Sequence, residues 1–551
     1  MRKNYLFLLM IAILSLGMMT GCMMEKPSDA ESQDDGESKD GVVEITTVRT
    51  MKDDTKFKKG EDVNNNVVTR WAEEDLGINF NTLWTVPSDE QYNTKIRLSM
   101  SAGKDLPDVF LVSDGQLIAD LIESGKVMQV DEAIEKHASP RLKKIFKKFP
   151  EAFYQATVDG KRYGIPRFSG GNGSDSLLWI RQDWLDKFNL EAPKTIKELE
   201  HVMEVFSTQD PDGNGKDDTM GITLASKNGL ATWLADGSFI FGAEGDYLPK
   251  LWSENEKGEL VYGSIQPNAK DALARLNEWY EKGYLDKEIG ILDEQAAIED
   301  FVAGKSGIIA APPWADGWPI NDAEKNIEGA NVQPYPLPGS EDGQIGRKGE
   351  GLTTGQFLFS KDFEHMDKFF EYWDAIYGYT LGDSKYFEKG MFEGYDYVMQ
   401  DGKPVYDQET IEKVTGEPYI NPGKYFLPTD VPTIPYMLYD LLEDLHATGR
   451  DAKNPYEARF VGGTEEYLEA GAIVNQQNEI RIENKWTGPP TKTMQERGEL
   501  LEKMEQEYYA DIIYGNLPVD AFDEFVEKWK SSGGDKITEE VNAWYDSVQG
   551  K

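Results

Sequence analysis

The stretch Val42-Val43-Glu44-Ile45-Thr46-Thr47-Val48 determines the class of fold, because it opens a regular alternation of strands and helices. Its β-branched residues and partial alternation of apolar and polar side chains predict a strand. The segments after it predict a helix at 63–76 ended by Gly77, a strand at 78–83, a helix at 91–102 and a strand at 108–112. Strands and helices that alternate over short connections indicate a mostly parallel α/β sheet with right-handed crossovers.

A second unit follows the flexible break Phe168-Ser169-Gly170-Gly171-Asn172-Gly173-Ser174-Asp175. Leu177-Leu178-Trp179-Ile180 predicts its first strand, and Thr195 with Glu198 forms the capping box of a helix. From Thr491 onward the pattern is helical, which predicts a C-terminal helical extension. The apolar face of its first helix is expected to hold Leu500, Leu501, Met504 and Tyr508.

The N-terminal residues have the pattern of a secretory signal. Arg2 and Lys3 precede an apolar run of about 15 residues, short of the ~20 that span a bilayer. Met19-Thr20-Gly21-Cys22 resembles a bacterial lipobox, which implies that the Cys22 thiol receives a diacylglyceryl group. Ordinary cleavage that leaves Cys22 as a stray thiol is the alternative. The polar composition of residues 25–41 predicts a disordered tether.

The composition limits the classes of molecule that the protein is expected to bind. The net charge of −41 repels nucleic acid and anionic lipid headgroups, so neither is expected as a general partner. With 39% hydrophobic residues and 551 residues in all, the chain is able to bury the cores of two or more domains. After Met19 no apolar run is long enough to cross a membrane.

Five motifs occur in a fixed order along the chain. They are Ser101-Ala102-Gly103-Lys104-Asp105-Leu106-Pro107-Asp108-Val109, Asp159-Gly160-Lys161-Arg162-Tyr163-Gly164-Ile165-Pro166, Ile180-Arg181-Gln182-Asp183-Trp184-Leu185, Phe301-Val302-Ala303-Gly304-Lys305-Ser306-Gly307, and residues 533–545. Together they resemble the extracellular solute-binding lipoproteins of carbohydrate ABC importers, and in particular the large branch that includes alginate-binding proteins. The resemblance implies an α/β, two-lobed periplasmic-binding-protein type II fold with hinge strands, whose lobes close on a sugar.

The resemblance also implies a division of the chain. The expected segments are a signal peptide at 1–21, a tether at 22–41, lobe 1 at 42–167, lobe 2 at 168–345, a return to lobe 1 at 346–385, and lobe 2 with the C-terminal helices at 386–551. The first crossing between the lobes is expected near 167–176 and the return near 333–351.

Asp210-Pro211-Asp212-Gly213-Asn214-Gly215-Lys216-Asp217-Asp218 matches the start of an EF-hand-type calcium loop. The expected ligands are Asp210, Asp212, Asn214 and Asp218 by their side chains and Lys216 by its backbone carbonyl. Position 12 is Gly221 instead of the usual glutamate. Related alginate-binding proteins carry an acidic residue at position 10, which here is Thr219. A structural Ca²⁺ ion is therefore expected, and a solvated Asp/Gly turn is the alternative.

Five residues are candidates for ligand binding: Trp84, Asp114, Arg167, Trp314 and Trp318. Asp114 follows the third strand, and resemblance to maltose-binding proteins implies that it accepts hydrogen bonds from sugar hydroxyls; a turn or helix-cap role is the alternative. The family similarity implies that Trp314 contacts the ligand from the other lobe, while a core role is the alternative for both Trp314 and Trp318. Trp84 ends the second strand, and Arg167 would bind a hydroxyl or carboxylate, or form a hinge ion pair.

Signals of an enzyme are weak. Gly304-Lys305-Ser306 lacks the first glycine of a P-loop, and the four histidines have no spacing typical of zinc. The sequence predicts a monomeric, lipid-anchored receptor on the extracellular face of the membrane that passes an oligosaccharide to an ABC permease. A receptor for a non-sugar solute such as a peptide, and a secreted carbohydrate-active enzyme, are the alternatives.

Overall fold

The computed structural model describes residues 41–52, 55–427 and 429–549. The predicted signal peptide, Cys22 and the predicted tether up to residue 40 lie outside the described residues. The elements given below all belong to Val43–Lys551, which forms one compact unit.

The strands are β1 Val43–Thr50, β2 Ile78–Val86, β3 Val109–Val112, β4 Thr157–Val158, β5 Lys161–Arg162, β6 Ile165–Phe168, β7 Leu177–Arg181, β8 Trp252–Glu254, β9 Leu260–Tyr262, β10 Ile308–Ala311, β11 Val332–Tyr335, β12 Arg347–Lys348, β13 Thr353–Phe359, β14 Val398–Gln400, β15 Lys403–Val405 and β16 Arg481–Ile482.

The α-helices are α1 Val67–Leu76, α2 Asp89–Ser101, α3 Gly115–Glu123, α4 Asp131–His137, α5 Pro140–Lys148, α6 Gln182–Phe188, α7 Ile196–Thr208, α8 Ser238–Gly242, α9 Pro267–Glu281, α10 Glu294–Val302, α11 Ile320–Asn326, α12 Met366–Thr380, α13 Gln408–Thr415, α14 Met437–Thr448, α15 Pro455–Ala458, α16 Glu465–Gln476, α17 Lys492–Ile513, α18 Ala521–Trp529 and α19 Asp535–Gln549.

The first three strands and two helices follow the order predicted from the sequence. The first helix begins at Val67 instead of residue 63, because the Asn66 side chain caps it by accepting hydrogen bonds from the N–H groups of Val68 and Thr69. Gly77 ends it with a φ of 66°, the left-handed conformation in which glycine has no Cβ penalty. The capping box of Thr195 and Glu198 is confirmed.

The first sheet contains five strands among the described residues, in the order β2-β1-β3-β13-β6. The β1 strand pairs in parallel with β2 and β3, while β13 is antiparallel to both β3 and β6. Alternate side chains of β1 enter different cores: Ile45 packs on one face of the sheet and Val48 on the other. Two of its four strand pairings are parallel and two are antiparallel, so this is a mixed sheet. It is covered on both faces, which confirms the α/β class.

The second sheet is formed, within the described residues, by β10, β7 and β11, with β7 in the centre and antiparallel to both neighbours. Every residue of β7 is buried. Leu178 and Ile180 enter one core, and Leu177 and Trp179 enter another, so this strand too is covered on both faces. The two sheets and their cores give the two-lobed architecture expected from the sequence.

Three chain segments connect the cores. The segment 169–176 joins β6 to β7, and 336–352 leads from β11 back to β13. The third lies around α14, whose Leu441 packs in the first core and whose Leu442 packs in the core that contains Trp179. Buried side chains of this region, among them Phe387, Tyr395, Tyr425 and Tyr456, pack in the first core, although the sequence analysis assigned residues 386–551 to lobe 2. Their aromatic residues complete the core around α1 and α12, which no local pattern indicates.

The C-terminal helices pack on the core of the second lobe. The predicted apolar face of α17 is displaced by one residue at its start: Leu500 is 49% exposed, while Leu501 is buried. The next buried position along this face is occupied by a carboxylate, Glu505, which accepts hydrogen bonds from Tyr262 Oη at 2.8 Å and Ser264 Oγ at 2.9 Å. Burial raises the pKa of Glu505 above its ordinary value.

Candidate functional site

Three indole rings from two loops of the second lobe stack on one another, and we call this set the tryptophan shelf (Trp233, Trp314 and Trp318). The ring centroids of Trp233 and Trp314 lie 5.9 Å apart at an interplanar angle of 19°. Those of Trp233 and Trp318 lie 6.5 Å apart at 21°. Trp233 is 41% exposed, so part of its indole remains open to solvent.

The shelf is attached to the first crossing segment through Trp314. This residue lies in the 3-10 helix Pro313–Asp316, directly after β10, and its indole Nε1 donates a hydrogen bond to the carbonyl oxygen of Gly173 at 2.8 Å. The backbone N–H of Gly173 donates in turn to Glu350 Oε2 at 2.6 Å. Burial raises the pKa of Glu350. The position of the Trp314 ring is therefore coupled to the backbone that joins the lobes.

A buried ionic network holds the crossing segments together. Asp175 accepts hydrogen bonds from Arg347 Nη2 at 3.0 Å, Arg481 Nε at 2.7 Å and the backbone N–H of Glu350 at 2.9 Å. The side chains of Asp175 and Arg347 are fully buried. Arg481 also donates to the carbonyl oxygen of Gly171 and, at 2.8 Å, to Tyr436 Oη. The carboxylate of Asp175 thus connects the first two crossing segments directly, and Arg481 connects it to Tyr436, the residue before α14.

A cavity of 640 Å³ lies at the carboxyl ends of β1 and β3 in the first lobe. This is the edge at which open α/β sheets bind ligands. Its lining includes Arg49, Met51, Lys52, Asp89, Tyr92, Ser113, Arg167, Thr354, Lys424 and Asp430. Arg167 is the one sequence-predicted ligand residue among its described lining residues. Its Nη1 donates to Thr354 Oγ1 at 2.9 Å, and burial lowers its pKa.

In the structure Asp114 caps a helix, which is the alternative role that the sequence analysis gave for it. It is the N-cap of α3, where Oδ1 accepts the N–H of Leu117 at 2.7 Å, and Arg97 Nη2 lies 3.2 Å from the same oxygen. Its side chain remains 32% exposed. Capping and ion pairing leave part of the carboxylate open to a ligand hydroxyl, so its ligand role stays a prediction.

Trp84 is half-buried and its ring is already in contact with two side chains. Tyr92 packs against it with centroids 5.5 Å apart, and Lys95 Nζ lies 4.3 Å from the ring centroid. Trp318 contributes to the shelf and also lines a separate cavity of 450 Å³ beside α10 and α11. The ligand role predicted for each of these residues is not tested by these contacts.

The loop Asp210–Asp218 folds around its own amide. Asn214 Nδ2 donates to Asp212 Oδ2 at 2.6 Å and to Asp218 Oδ1 at 3.0 Å. Asp210 Oδ1 is buried and has no hydrogen-bond partner, and burial together with the adjacent carboxylates raises the pKa of Asp212. An unsatisfied carboxylate oxygen of Asp210 beside two further carboxylates fits a hard cation such as Ca²⁺.

The other positions of this loop limit the ligand set. The Thr219 hydroxyl donates to the carbonyl oxygen of Phe206 at 2.8 Å and is therefore directed away from the carboxylates. In the described residues no group of three or more His, Cys, Asp or Glu side chains is arranged to hold a metal ion. A Ca²⁺ ion here would depend on the Asn214 amide and the Lys216 carbonyl as well as on carboxylates.

Sequence reasoning missed Trp233 and the cavity residues Lys424 and Asp430. Trp233 stands alone among small and polar residues, and the chain separates it from Trp314 by 81 positions of unrelated pattern. Lys424 and Asp430 come from the region that was assigned to the other lobe. The one available signal was a tryptophan in a loop, which is as common in cores as in binding sites.

These features describe a protein of two α/β lobes that are joined by crossing segments. The family model of the bacterial extracellular solute-binding protein matches residues 56–358, which is more than half of the chain. The chain therefore belongs to this family of bacterial extracellular solute-binding proteins. In the described residues no helix is both long and apolar enough to span a membrane.

Curated relatives extend over most of the chain. The Polygalacturonan/rhamnogalacturonan-binding protein YtcQ of Bacillus subtilis is 25% identical over 551 residues, which cover 98% of each chain. Lipoprotein LipO of the same organism is 23% identical, covering 83% of this chain and 85% of its own. The fructooligosaccharide ABC transporter substrate-binding protein FusA of Streptococcus pneumoniae is 28% identical over 60% of this chain and 63% of its own.

Solved structures share the fold. An extracellular solute-binding protein from Bifidobacterium longum subsp. infantis has a TM-score of 0.67 at 17% identity, covering 93% of this chain and 99% of its own. The alginate-binding protein AlgQ2, solved without calcium ion, has a TM-score of 0.58 at 19% identity and covers 91% of this chain and 98% of its own.

Proposed function

We propose that this protein is a lipid-anchored extracellular receptor that captures an oligosaccharide between its lobes and delivers it to an ABC importer. The observation that carries the proposal is the solvent-exposed indole of Trp233 on the tryptophan shelf. An indole face matches the apolar C–H face of a pyranose ring, and the neighbouring Trp314 and Trp318 hold Trp233 in a fixed orientation.

The second lobe supplies the stacking face and the first lobe supplies polar groups. Arg167 and Thr354 lie on the wall of the first-lobe cavity, where hydroxyl groups of a sugar find donors and acceptors. The proposed ligand surface also includes Trp84 and Asp114 of the first lobe and Trp318 of the second lobe. A ligand that contacts both lobes binds the closed form better than the open form, so binding itself shifts the equilibrium towards closure.

The relatives support the class of ligand but leave its identity open. FusA is named for fructooligosaccharides, which are uncharged, whereas YtcQ is named for polygalacturonan and rhamnogalacturonan, which are acidic. We assign no catalytic residues: the protein binds its oligosaccharide and releases it unchanged to the permease.

Two further parts belong to the proposal. The lipid on Cys22 tethers the protein to the extracellular side of the membrane, so Cys22→Ser is expected to release it into the medium or leave it unprocessed. A Ca²⁺ ion in the loop Asp210–Asp218 has a structural role, held by Asp210, Asp212, Asn214, Lys216 and Asp218. A structural neighbour solved as a FusA EF-hand mutant is consistent with a cation loop in this fold.

A thermal-shift screen over plant and bacterial oligosaccharides tests the function. A sugar present at 100 times its dissociation constant is expected to add about 2.7 kcal/mol to the free energy of unfolding. Mass spectrometry of the same sample after prolonged incubation is expected to recover the sugar unchanged. A shortened sugar would identify an enzyme, and stabilisation by peptides with none by sugars would identify a receptor for another solute.

A further inference from the structure

The wall of the first-lobe cavity carries four cations. Arg49, Lys52, Arg167 and Lys424 all line it. Among the described residues, none of the four has an ion-pair partner within 4 Å. The chain as a whole nevertheless has a net charge of −41. Because the protein as a whole is acidic, a cavity whose cations form no ion pair reverses the sign of the electrostatic potential locally.

The two carboxylates on the same wall are engaged by other groups. Asp89 Oδ1 accepts a hydrogen bond from Thr50 Oγ1 at 2.8 Å, and Asp430 Oδ1 accepts one from the N–H of Val431 at 2.7 Å. Four cations therefore face two carboxylates. Asp430 and Asp89 attract Arg167 without forming an ion pair within 4 Å, and a net positive charge remains on this wall among the described residues.

Arg49 shows that this charge is partly buried. It is 7% exposed, and its guanidinium donates to the carbonyl oxygens of Lys424, Tyr425 and Phe426 at 3.0, 2.9 and 2.6 Å. Its Nε is buried without a hydrogen-bond partner. Carbonyl groups orient this cation but do not neutralise it, and a buried charge without a counter-ion is costly. An anion in the cavity would lower that cost.

We infer that the cavity binds the carboxylate of a uronic acid unit, so that the captured oligosaccharide is an acidic one. The inference rests on the proposed function and specifies its ligand class. Arg167 has one hydrogen bond, to Thr354, and the rest of its planar fork is free to pair with a carboxylate in bidentate geometry. The exposed ammonium groups of Lys52 and Lys424 add attraction at the rim. The shelf would stack the sugar rings while the cavity selects their charge.

Titration calorimetry with matched sugars tests this inference. The probes are α- and β-linked uronate trimers, the same trimers with methyl-esterified carboxylates, neutral hexose trimers and inorganic phosphate. We expect an acidic trimer to bind at least tenfold more tightly than its methyl ester, about 1.4 kcal/mol, and we expect added salt to reduce this preference. Phosphate alone is expected to bind weakly, because it cannot stack on the shelf.

Three variants locate the preference. Arg167→Gln and Lys424→Gln are expected to reduce the ratio of acid to ester affinity several-fold. Lys257→Gln removes the same charge from an exposed turn of the second lobe and is expected to leave both affinities unchanged. Because the Lys424 side chain is exposed, Lys424→Gln still reports on the cavity if Arg167→Gln fails to fold.

The outcomes distinguish failure of the inference from failure of the proposed function on which it rests. Esterified or neutral trimers that bind as well as acidic ones would overturn the inference and leave the receptor function standing. Phosphate that binds as tightly as the acidic trimers would identify a simple anion site and overturn it as well. Failure of every sugar to bind would overturn both.

Discussion

At the scale of single residues, Trp233 and Trp314 share a shelf but differ in what holds them. Trp233 is 41% exposed and stacks on its neighbours, whereas Trp314 is half-buried and donates its indole N–H to Gly173. The sequence analysis placed Trp314 simply at the open cleft. Its hydrogen bond to the crossing segment means that it supports the structure as well as the proposed ligand surface.

The two tryptophans are therefore expected to respond differently to truncation. Trp233→Ala should weaken oligosaccharide binding by about 2–4 kcal/mol, the scale of a buried aromatic anchor, and leave the unliganded melting temperature nearly unchanged. Trp314→Ala should weaken binding and also lower the unliganded melting temperature, because it removes a hydrogen bond and a half-buried ring. Calorimetry and thermal unfolding of both variants measure this. An intact affinity in Trp233→Ala would remove the shelf from the binding site.

Residue-level prediction succeeded where a local signal existed. The helix caps at Gly77 and Thr195 follow from one or two neighbours on the chain, and the structure confirms both. The shelf could not be predicted, because Trp233 and Trp314 meet only after the second lobe has folded. Asp114 shows a further limit: a residue that caps a helix and one that binds a sugar have the same sequence signature.

At the scale of elements, the loop Asp210–Asp218 places several carboxylates around one amide. Without a cation these carboxylates repel one another, so we expect a chelator to lower the melting temperature of the wild-type protein. Asp212→Ala should abolish this difference. Asp217→Ala, which removes a carboxylate of the same loop at a position not predicted to bind, should preserve it. A chelated sample shown by elemental analysis to be free of calcium, yet equally stable, would contradict the structural ion.

The helix α17 contains a buried carboxylate with a raised pKa, which predicts a pH dependence of stability. The folded state holds the Glu505 proton more tightly than the unfolded state does. Its contribution is therefore fully present below the unfolded pKa and is lost as the pH rises through the folded pKa. Glu505→Gln stays neutral, so the melting temperature of the variant minus that of the wild type should increase as the pH rises above about 4.3, the pKa of an unfolded glutamate. At this chain length each kcal/mol corresponds to about 1–2 °C. A difference independent of pH would mean that Glu505 is ionised throughout.

The same helix shows why element-level prediction was partial. Its existence, its start after Thr491 and its amphipathic character follow from periodicity. The buried face of α17 differs from the predicted one because an apolar pattern favours Leu500, whereas the protein buries Glu505. The hydrogen-bond partners of Glu505, Tyr262 and Ser264, lie far away on the chain. Periodicity cannot identify a polar residue that is satisfied only by tertiary contacts.

At the scale of the whole molecule, the crossing segments converge on Asp175, which binds both Arg347 and Arg481. Removing one member of a buried ion pair leaves the other charge uncompensated, so we expect the loss of either arginine to destabilise the junction of the lobes. The α/β units were predictable from strand and helix order, and the two lobes with their first two crossings were predicted from the family resemblance. The third crossing around α14 was not predicted, because side chains from Phe387 to Tyr456 return to the first core without a local pattern that indicates it.

Small-angle X-ray scattering of the full mature chain tests capture between the lobes most directly. The ligand is the oligosaccharide that gives the largest thermal shift in the screen, and Trp233→Ala at the same ligand concentration is the control. We predict that the sugar lowers the radius of gyration of the wild-type protein, because closure brings the shelf and the cavity wall onto the same ligand, and that the variant shows a smaller change. A sugar that binds tightly without any change in the radius of gyration would contradict the account.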